Sequence, residues 1–201
     1  ADFGGSDRSG AISFGLSSHG YLGAGYDGNF LKDMWEYNPA ADNWIQIVSI
    51  GGSKRNNATA FVTGGYAYVV GGVNNGSYIT DFWRFDPASG SWTELRPIAN
   101  KSDEDYDDSY EIARANALAL IIGERIFLSC GESGSLRSDT WEYIPASDLW
   151  EETTGFEGTS RTGAVTIHTP ARAFVLTGRS STYRFDDMWE FLPDIEYDTD
   201  Y

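Results

Sequence analysis

A twelve-residue phrase returns in register along the chain, as "DMWEYNPAADNW" at 33–44, "DFWRFDPASGSW" at 81–92 and "DTWEYIPASDLW" at 139–150. It begins a fourth time as "DMWEFLPDIEYD" at 187–198, where Asp198 stands in place of the second Trp. Trp35, Trp83, Trp141 and Trp189 lie 48, 58 and 48 residues apart, and the extra ten residues of the middle interval match the acidic stretch "KSDEDYDDSYE" at 101–111. Asp33, Asp81, Asp139 and Asp187 precede each first Trp by two residues, and Arg8, Arg55, Arg114 and Arg161 precede it by 27 or 28. Ala11, Ala58, Ala117 and Ala164 each follow the Arg by three, and between Arg and Trp an apolar stretch ends in glycine: "YLGAG", "YVVGG", "FLSCG" and "FVLTG". Self-similarity at a period near 50 residues points to a propeller or a solenoid.

Each unit divides into four short strands. In the second unit they are expected at 57–63, 66–72, 81–87 and 91–97. The third of these alternates Phe82, Arg84 and Asp86 against Trp83 and Phe85, the period of a sheet with unequal faces. "PASG" then makes a hairpin turn, with Pro87 and Gly90 at its restricted and permissive positions. A four-stranded antiparallel unit cannot bury both faces alone and must stack on copies of itself. The Trp residues, each able to bury about 150–250 Å², are therefore read as cement between units and not as a ligand platform.

The combination of Arg, Gly-Gly, Asp-x-Trp-x-Tyr/Phe and a second Trp resembles the kelch repeat over nearly the whole chain. "FGGSDRSGA" (3–11) and "GYLGAGYDGNFLKDMWEYNPAADNW" (20–44) are similar to kelch proteins of the secreted or surface-exposed bacterial type, often labelled galactose-oxidase-like. The resemblance implies an all-β fold, a kelch-type β-propeller with four four-stranded antiparallel blades visible. It is expected to be a single propeller domain or propeller section, with repeats at about 3–49, 50–97, 98–155 and 156–201 and an acidic insertion at 101–112. Kelch propellers close by pairing strands from the two termini, which removes exposed sheet edges. "FGGSDR" aligns with "IGGSKR" at 50–55, so Ala1 and Asp2 match the end of a fourth strand whose Trp would lie upstream. Either the tail "DIEYDTDY" forms a degenerate outer strand in a ring of four, or the chain is a section of a larger propeller. The second is the expectation, with a strand from a partner chain as a third route.

Composition narrows the partners. A net charge of −16, with 30 acidic against 14 basic residues, repels nucleic acid and anionic lipid. No apolar run is long enough to span a membrane as a helix. The single cysteine, Cys130, excludes an intramolecular disulfide and is read as a buried small residue. A chain that opens at Ala1 without Met fits a mature, trimmed or partial product.

Galactose-oxidase-like relatives suggest copper chemistry, which in that family needs a Cys cross-linked to Tyr, a second Tyr and two His. Here Cys130 occupies a core repeat position, and His19 and His168, the only two histidines, fall at unlike positions in their repeats. No cofactor and no metal are expected. The acidic insertion lacks the Gly and terminal Glu of an EF-hand loop, and the Asn-x-Ser/Thr triplets at Asn57, Asn75 and Asn100 are read as chance.

The repeated Arg8, Arg55, Arg114 and Arg161 have two readings. An identical residue in every unit serves the unit, by binding a neighbouring blade's backbone or the repeat Asp. Alternatively the guanidiniums converge at a channel mouth and fork onto a carboxylate or phosphate. The loops between the second and third strands differ from unit to unit and carry Asp27, Asn29, Asn74, Asn75, Tyr78, Glu132, Arg137, Arg179, Tyr183 and Arg184, side chains suited to sugar or peptide contacts. Together these fourteen are the candidate ligand-binding residues. The expected function is a non-catalytic binding or assembly module for a protein or glycan, extracellular, at a bacterial cell surface or in the periplasm, within a larger surface complex. A carbohydrate-active kelch enzyme, similar to a sialic-acid epimerase, is the alternative.

Overall fold

The computed structural model describes residues 1–99 and 110–195. The chain divides into two compact units, Ala1–Ala115 and Asn116–Tyr201. The acidic run at 101–109 and the tail from 196 lie outside the described residues, and with them the expectations placed on "DIEYDTDY" and on most of the insertion.

The first unit contains two blades. Strands β1 (Ile12–Leu16), β2 (His19–Gly23), β3 (Met34–Asn38) and β4 (Asn43–Ile47) form the first, in the order β1-β2-β3-β4. The second is built from β5 (Thr59–Thr63), β6 (Tyr66–Val70), β9 (Phe82–Asp86) and β10 (Ser91–Glu94) in the same antiparallel meander. Between β6 and β9 its loop makes a small ladder of its own, β7 (Val73–Asn74) with β8 (Ser77–Tyr78). The four strands expected for this repeat are all present, each trimmed by a residue or more where the chain turns.

In the second unit, β11 (Leu118–Ile122), β12 (Arg125–Ser129), β15 (Thr140–Ile144) and β16 (Leu149–Thr153) make a third four-stranded blade. Its loop ladder is β13 (Glu132–Ser133) with β14 (Ser135–Leu136). Strands β17 (Val165–Thr169), β18 (Arg172–Leu176) and β19 (Met188–Phe191) form a fourth blade with three strands among the described residues. The fold is all-β, with four blades and no helix among the described residues.

Alternation sorts each blade into two faces. In the first unit, Ile12, Leu16, Tyr21 and Met34 project from one face of blade one and pack on Ala67, Val69 and Phe85 of blade two. In the second, Leu118, Leu120 and Phe127 of blade three pack in the same sense on Ala173, Val175 and Phe191 of blade four. Blades one and three thus each have an outgoing face, which the following blade of the same unit covers with an incoming face that carries the repeat Trp. Aromatic edges finish both junctions: the ring centroids of Tyr21 and Phe85 lie 5.5 Å apart, and those of Phe127 and Phe191 lie 5.1 Å apart.

Two backbone devices explain the small residues of the repeat. At the end of each second strand, two successive residues have positive φ: Ala24 and Gly25, Gly71 and Gly72, Cys130 and Gly131, Thr177 and Gly178. This doublet ends the strand and throws the chain into its loop. A Cβ on Gly72 would reach within 3.0 Å of the Ala58 methyl, so glycine and repeat alanine are small for one reason. Similarly, a Cβ on Gly51 would overlap the ring of Trp83, which packs directly on the backbone of the Gly-Gly pair.

Candidate binding site and its framework

The repeated arginines lie inside the blades. Arg55, Arg114 and Arg161 are buried, and Arg8 exposes little of its side chain. In each, Nε donates to the carbonyl two residues back: Ser6 at 3.1 Å, Ser53 at 3.2 Å, Ile112 at 2.9 Å and Thr159 at 3.0 Å. For Arg8, Arg55 and Arg161 the Nη1 donates to the carbonyl of the first positive-φ residue of the same blade, Ala24, Gly71 and Thr177 respectively. The guanidinium then meets the repeat Asp, with Arg8 forked onto Asp33 at 2.6 and 2.9 Å and Arg161 onto Asp187 at 2.5 and 2.9 Å. The repeat Asp also accepts the indole N–H of the repeat Trp, at 2.8 Å for Trp35, 2.7 Å for Trp141 and 2.8 Å for Trp189, and for Trp35 and Trp189 on the same Oδ2 that accepts the Arg Nη2.

Sequence spacing thus becomes chemistry: in blades one and four, Arg and Trp share one part-buried Asp carboxylate. Hydrogen bonding from Arg161 holds the Asp187 carboxyl below its usual range, against burial and with help from Trp189. At Asp33 burial is the largest influence and pushes upward, yet the bonds from Arg8 and Trp35 outweigh it and the carboxyl again stays low. Blade two departs from the pattern. Arg55 Nη2 and Asp81 Oδ1 lie 2.5 Å apart as an ion pair off the hydrogen-bonding directions, and the other Asp81 oxygen turns to the Ser53 N–H at 3.3 Å. The Trp83 indole N–H is left without a hydrogen-bond partner among the described residues.

The backbone of the same arginine faces the preceding blade. Arg55 N–H donates to the Leu31 carbonyl at 2.9 Å, and its own carbonyl accepts from Gly25 N–H at 2.8 Å. Gly72 donates likewise to the Arg114 carbonyl and Gly131 to that of Arg161. One residue therefore ties its own blade by its side chain and the previous blade by its main chain. This geometry favours the framework reading of the four arginines over the ligand-binding one.

The loop candidates are on the outside. Asp27 accepts from Ser6 Oγ at 2.7 Å and from Asn29 N–H at 3.0 Å, bonds that lower its carboxyl pKa, and both Asp27 and Asn29 are exposed. Asn74 lies in β7, Tyr78 in β8, and Asn75 takes a positive φ of 49° at the exposed turn between them. Glu132 accepts from Asn116 Nδ2 at 3.0 Å, and Arg137 donates to Asp139 at 3.0 Å, so these two belong partly to the frame. In blade four, Arg179 and Arg184 form an isolated antiparallel bridge with no ion pair among the described residues, and Tyr183 between them is 72% exposed. Beneath this loop is a cavity of about 320 Å³ lined by Gly163, Thr177, Gly178, Arg179, Arg184 and Phe185.

His19 Nδ1 lies 3.0 Å from the Ser17 carbonyl, His168 is exposed in β17, and Cys130 is buried with Sγ 3.8 Å from Ser129 Oγ. Among the described residues, no three His, Cys, Asp or Glu side chains are grouped to hold a metal.

Residues 54–98 match one protein-family model, described as the Kelch motif. The fold is a kelch-type β-propeller fold. The matched span runs from the residue before Arg55 through β10, one complete blade, and the other three blades repeat its Arg, Asp and Trp. No curated protein matches the chain. No helix among the described residues is long and apolar enough to cross a membrane.

What the sequence reading missed is the residue two after each Arg. Gly10, Asn57, Asn116 and Gly163 all have positive φ, from 53° to 64°. The signal was present, since only Gly and Asn occur there, the two residue types that tolerate this conformation best.

Proposed function

We propose that this kelch propeller is a non-catalytic binding and assembly module, whose second-to-third-strand loops bind a protein or glycan partner at a bacterial cell surface or in the periplasm. One observation carries the reading: the residues repeated in every blade are consumed inside the frame, whereas the exposed amide, aromatic and cationic side chains sit in loops that differ from blade to blade. A regular frame with divergent loops is how repeat folds separate stability from recognition. Asn75 and Tyr78 on blade two, and Arg179, Tyr183 and Arg184 on blade four, are the residues best placed to contact a partner. Tyr supplies a large contact at low entropic cost and Arg a forked donor for carboxylates or sulfates.

The test is a glycan array together with a pull-down from envelope proteins, run with the wild-type chain and with N75A/Y78A and Y183A/R184A. Loss of a ligand in either double variant, at an unchanged thermal midpoint, is the expected result. Binding unaffected by both would move the site off these loops, and turnover of a sugar would replace the module with an enzyme.

A further inference from the structure

The loop after β18 carries a pair of charges that the fold itself does not use. In each blade, the residue that follows the positive-φ doublet faces another across its loop: Tyr26 faces Phe30, Val73 faces Tyr78, Glu132 faces Leu136 and Arg179 faces Arg184. Of these four pairs, only the last joins two charges of one sign. Bonds from the Ser180 N–H to the Tyr183 carbonyl and from the Phe185 N–H to the Gly178 carbonyl, both 2.9 Å, make Arg179 and Arg184 a non-hydrogen-bonded antiparallel pair. In that register facing side chains come closest, and like charges placed there destabilise the ladder.

Among the described residues, nothing relieves the repulsion. Arg8, Arg55, Arg125, Arg137, Arg161 and Arg172 each meet a carboxylate. Arg179 and Arg184 meet none among the described residues, in a chain with 30 acidic side chains and a net charge of −16. Of the two acids that follow, Asp187 is forked by Arg161, and Asp186 forms no ion pair among the described residues. On the other side of Arg179 stands Thr162, joined to it by two main-chain bonds of 3.0 Å, which puts the two side chains on one face. Thr162 is 3% exposed, and its Oγ1 is buried with no hydrogen-bond partner among the described residues. Two guanidiniums and an unused hydroxyl thus share one row, and a buried polar group without a partner in a native fold requires a reason.

A cavity of about 100 Å³ is lined by Arg179, Ser180, Ser181, Thr182, Tyr183 and Arg184, all from this one loop. It has the room of about three water molecules, enough for a carboxylate or sulfate group and too little for a sugar ring. Ser180 Oγ accepts the Thr182 and Tyr183 N–H groups and so fixes the turn, while Ser181, Thr182 and Tyr183 are exposed.

We propose that Arg179 and Arg184 together bind one oxyanion, the carboxylate or sulfate group of an acidic saccharide, with Tyr183 against the sugar ring. The inference rests on the reading of these loops as the recognition surface and names the chemistry that the blade-four loop takes. Two facing guanidiniums match a single oxyanion with forked donors, and the anion cancels the repulsion between them. A net charge of −16 repels polyanions, so a saccharide with a single negative group is repelled least.

The experiment titrates the full chain with D-glucuronate, a glucose sulfate ester and D-glucose, following amide shifts by NMR, for wild type, R179Q and R184Q. Both arginines are exposed and each change removes a like-charge contact, so the thermal midpoint should hold or rise. Wild type is expected to bind at least one acidic sugar about tenfold or more tightly than glucose, with shifts centred on Thr162 and residues 179–185. Loss of a charge-assisted bond in either variant should weaken that binding by about tenfold or more. A midpoint that falls in the variants would assign the pair to the frame and overturns the proposal. So do glucose binding as tightly as the acidic sugars, variants that keep full affinity, or an acetylated Glu amide that binds more tightly than either sugar. If N75A/Y78A loses an array ligand while no acidic sugar binds the blade-four loop, the module reading stands and this assignment falls. A chain that holds no ligand of any kind sinks both.

Discussion

Met34 and Met188 are the only two methionines, and they occupy the same position in their repeats, immediately before the first Trp. Met34 is wholly buried under blade two, while Met188 is 64% exposed. The same side chain in the same strand register is therefore core in one blade and surface in another. What differs is the neighbour, because a kelch blade is finished only when another blade lies on it.

The largest expected effect lies in the network common to both blades. Arg161→Ala strips Asp187 of its forked partner and removes the donor to the Thr177 carbonyl. Truncating a wholly buried side chain leaves a cavity that costs about 2–5 kcal/mol, and the lost charge-assisted bonds add about 1–3 kcal/mol, so urea denaturation should show a chain at or beyond the edge of folding. Next comes the comparison itself. Met34→Ala should lower stability by about 2–5 kcal/mol, as large-to-small changes in a packed core do. Met188→Ala should stay within about 0.5 kcal/mol for the monomeric chain. Equal effects would mean that the two faces do not differ in cover.

A gentler break is acid. The Asp33 and Asp187 carboxyls are held below the ordinary 3.8 by their folded partners, so their contribution is present in full above that value and is lost as pH falls through the lower folded values. The urea midpoint should hold from neutral pH down to about pH 5 and drop steeply below pH 4, the range of an unperturbed Asp. Smallest of all is the indole bond. Trp35→Phe should cost about 1 kcal/mol beyond the lost ring area, the worth of one hydrogen bond. Trp83→Phe should lack that increment, because its N–H has no hydrogen-bond partner among the described residues.

Much of this frame was legible because it is written four times. The Asp-x-Trp spacing placed the third strands, and the recurrence of one Arg in every unit raised a bond to the repeat Asp as one of its two readings. The carbonyl of Ala24, Gly71 or Thr177 as the third partner was not legible, since it depends on backbone bent to positive φ by residues that include alanine and threonine. The loop ladders β7–β8 and β13–β14 were also missed, because two-residue strands leave no periodicity to read. The bare face of blade four was hidden for another reason. "VTIHT" reads like any core strand, and exposure is decided by what docks there, which local sequence does not encode.

The double duty of the repeated arginine has an evolutionary consequence. The second-to-third loop of blade one meets the next blade through main-chain groups, the Leu31 and Lys32 carbonyls, so the side chains at the exposed tip of such a loop are not needed to hold neighbouring blades in place. Those tip side chains are free to drift between units at little cost to folding. A duplicated unit would likewise insert as a new blade with its joints already made, so recognition in such a chain can change by single substitutions or by whole repeats.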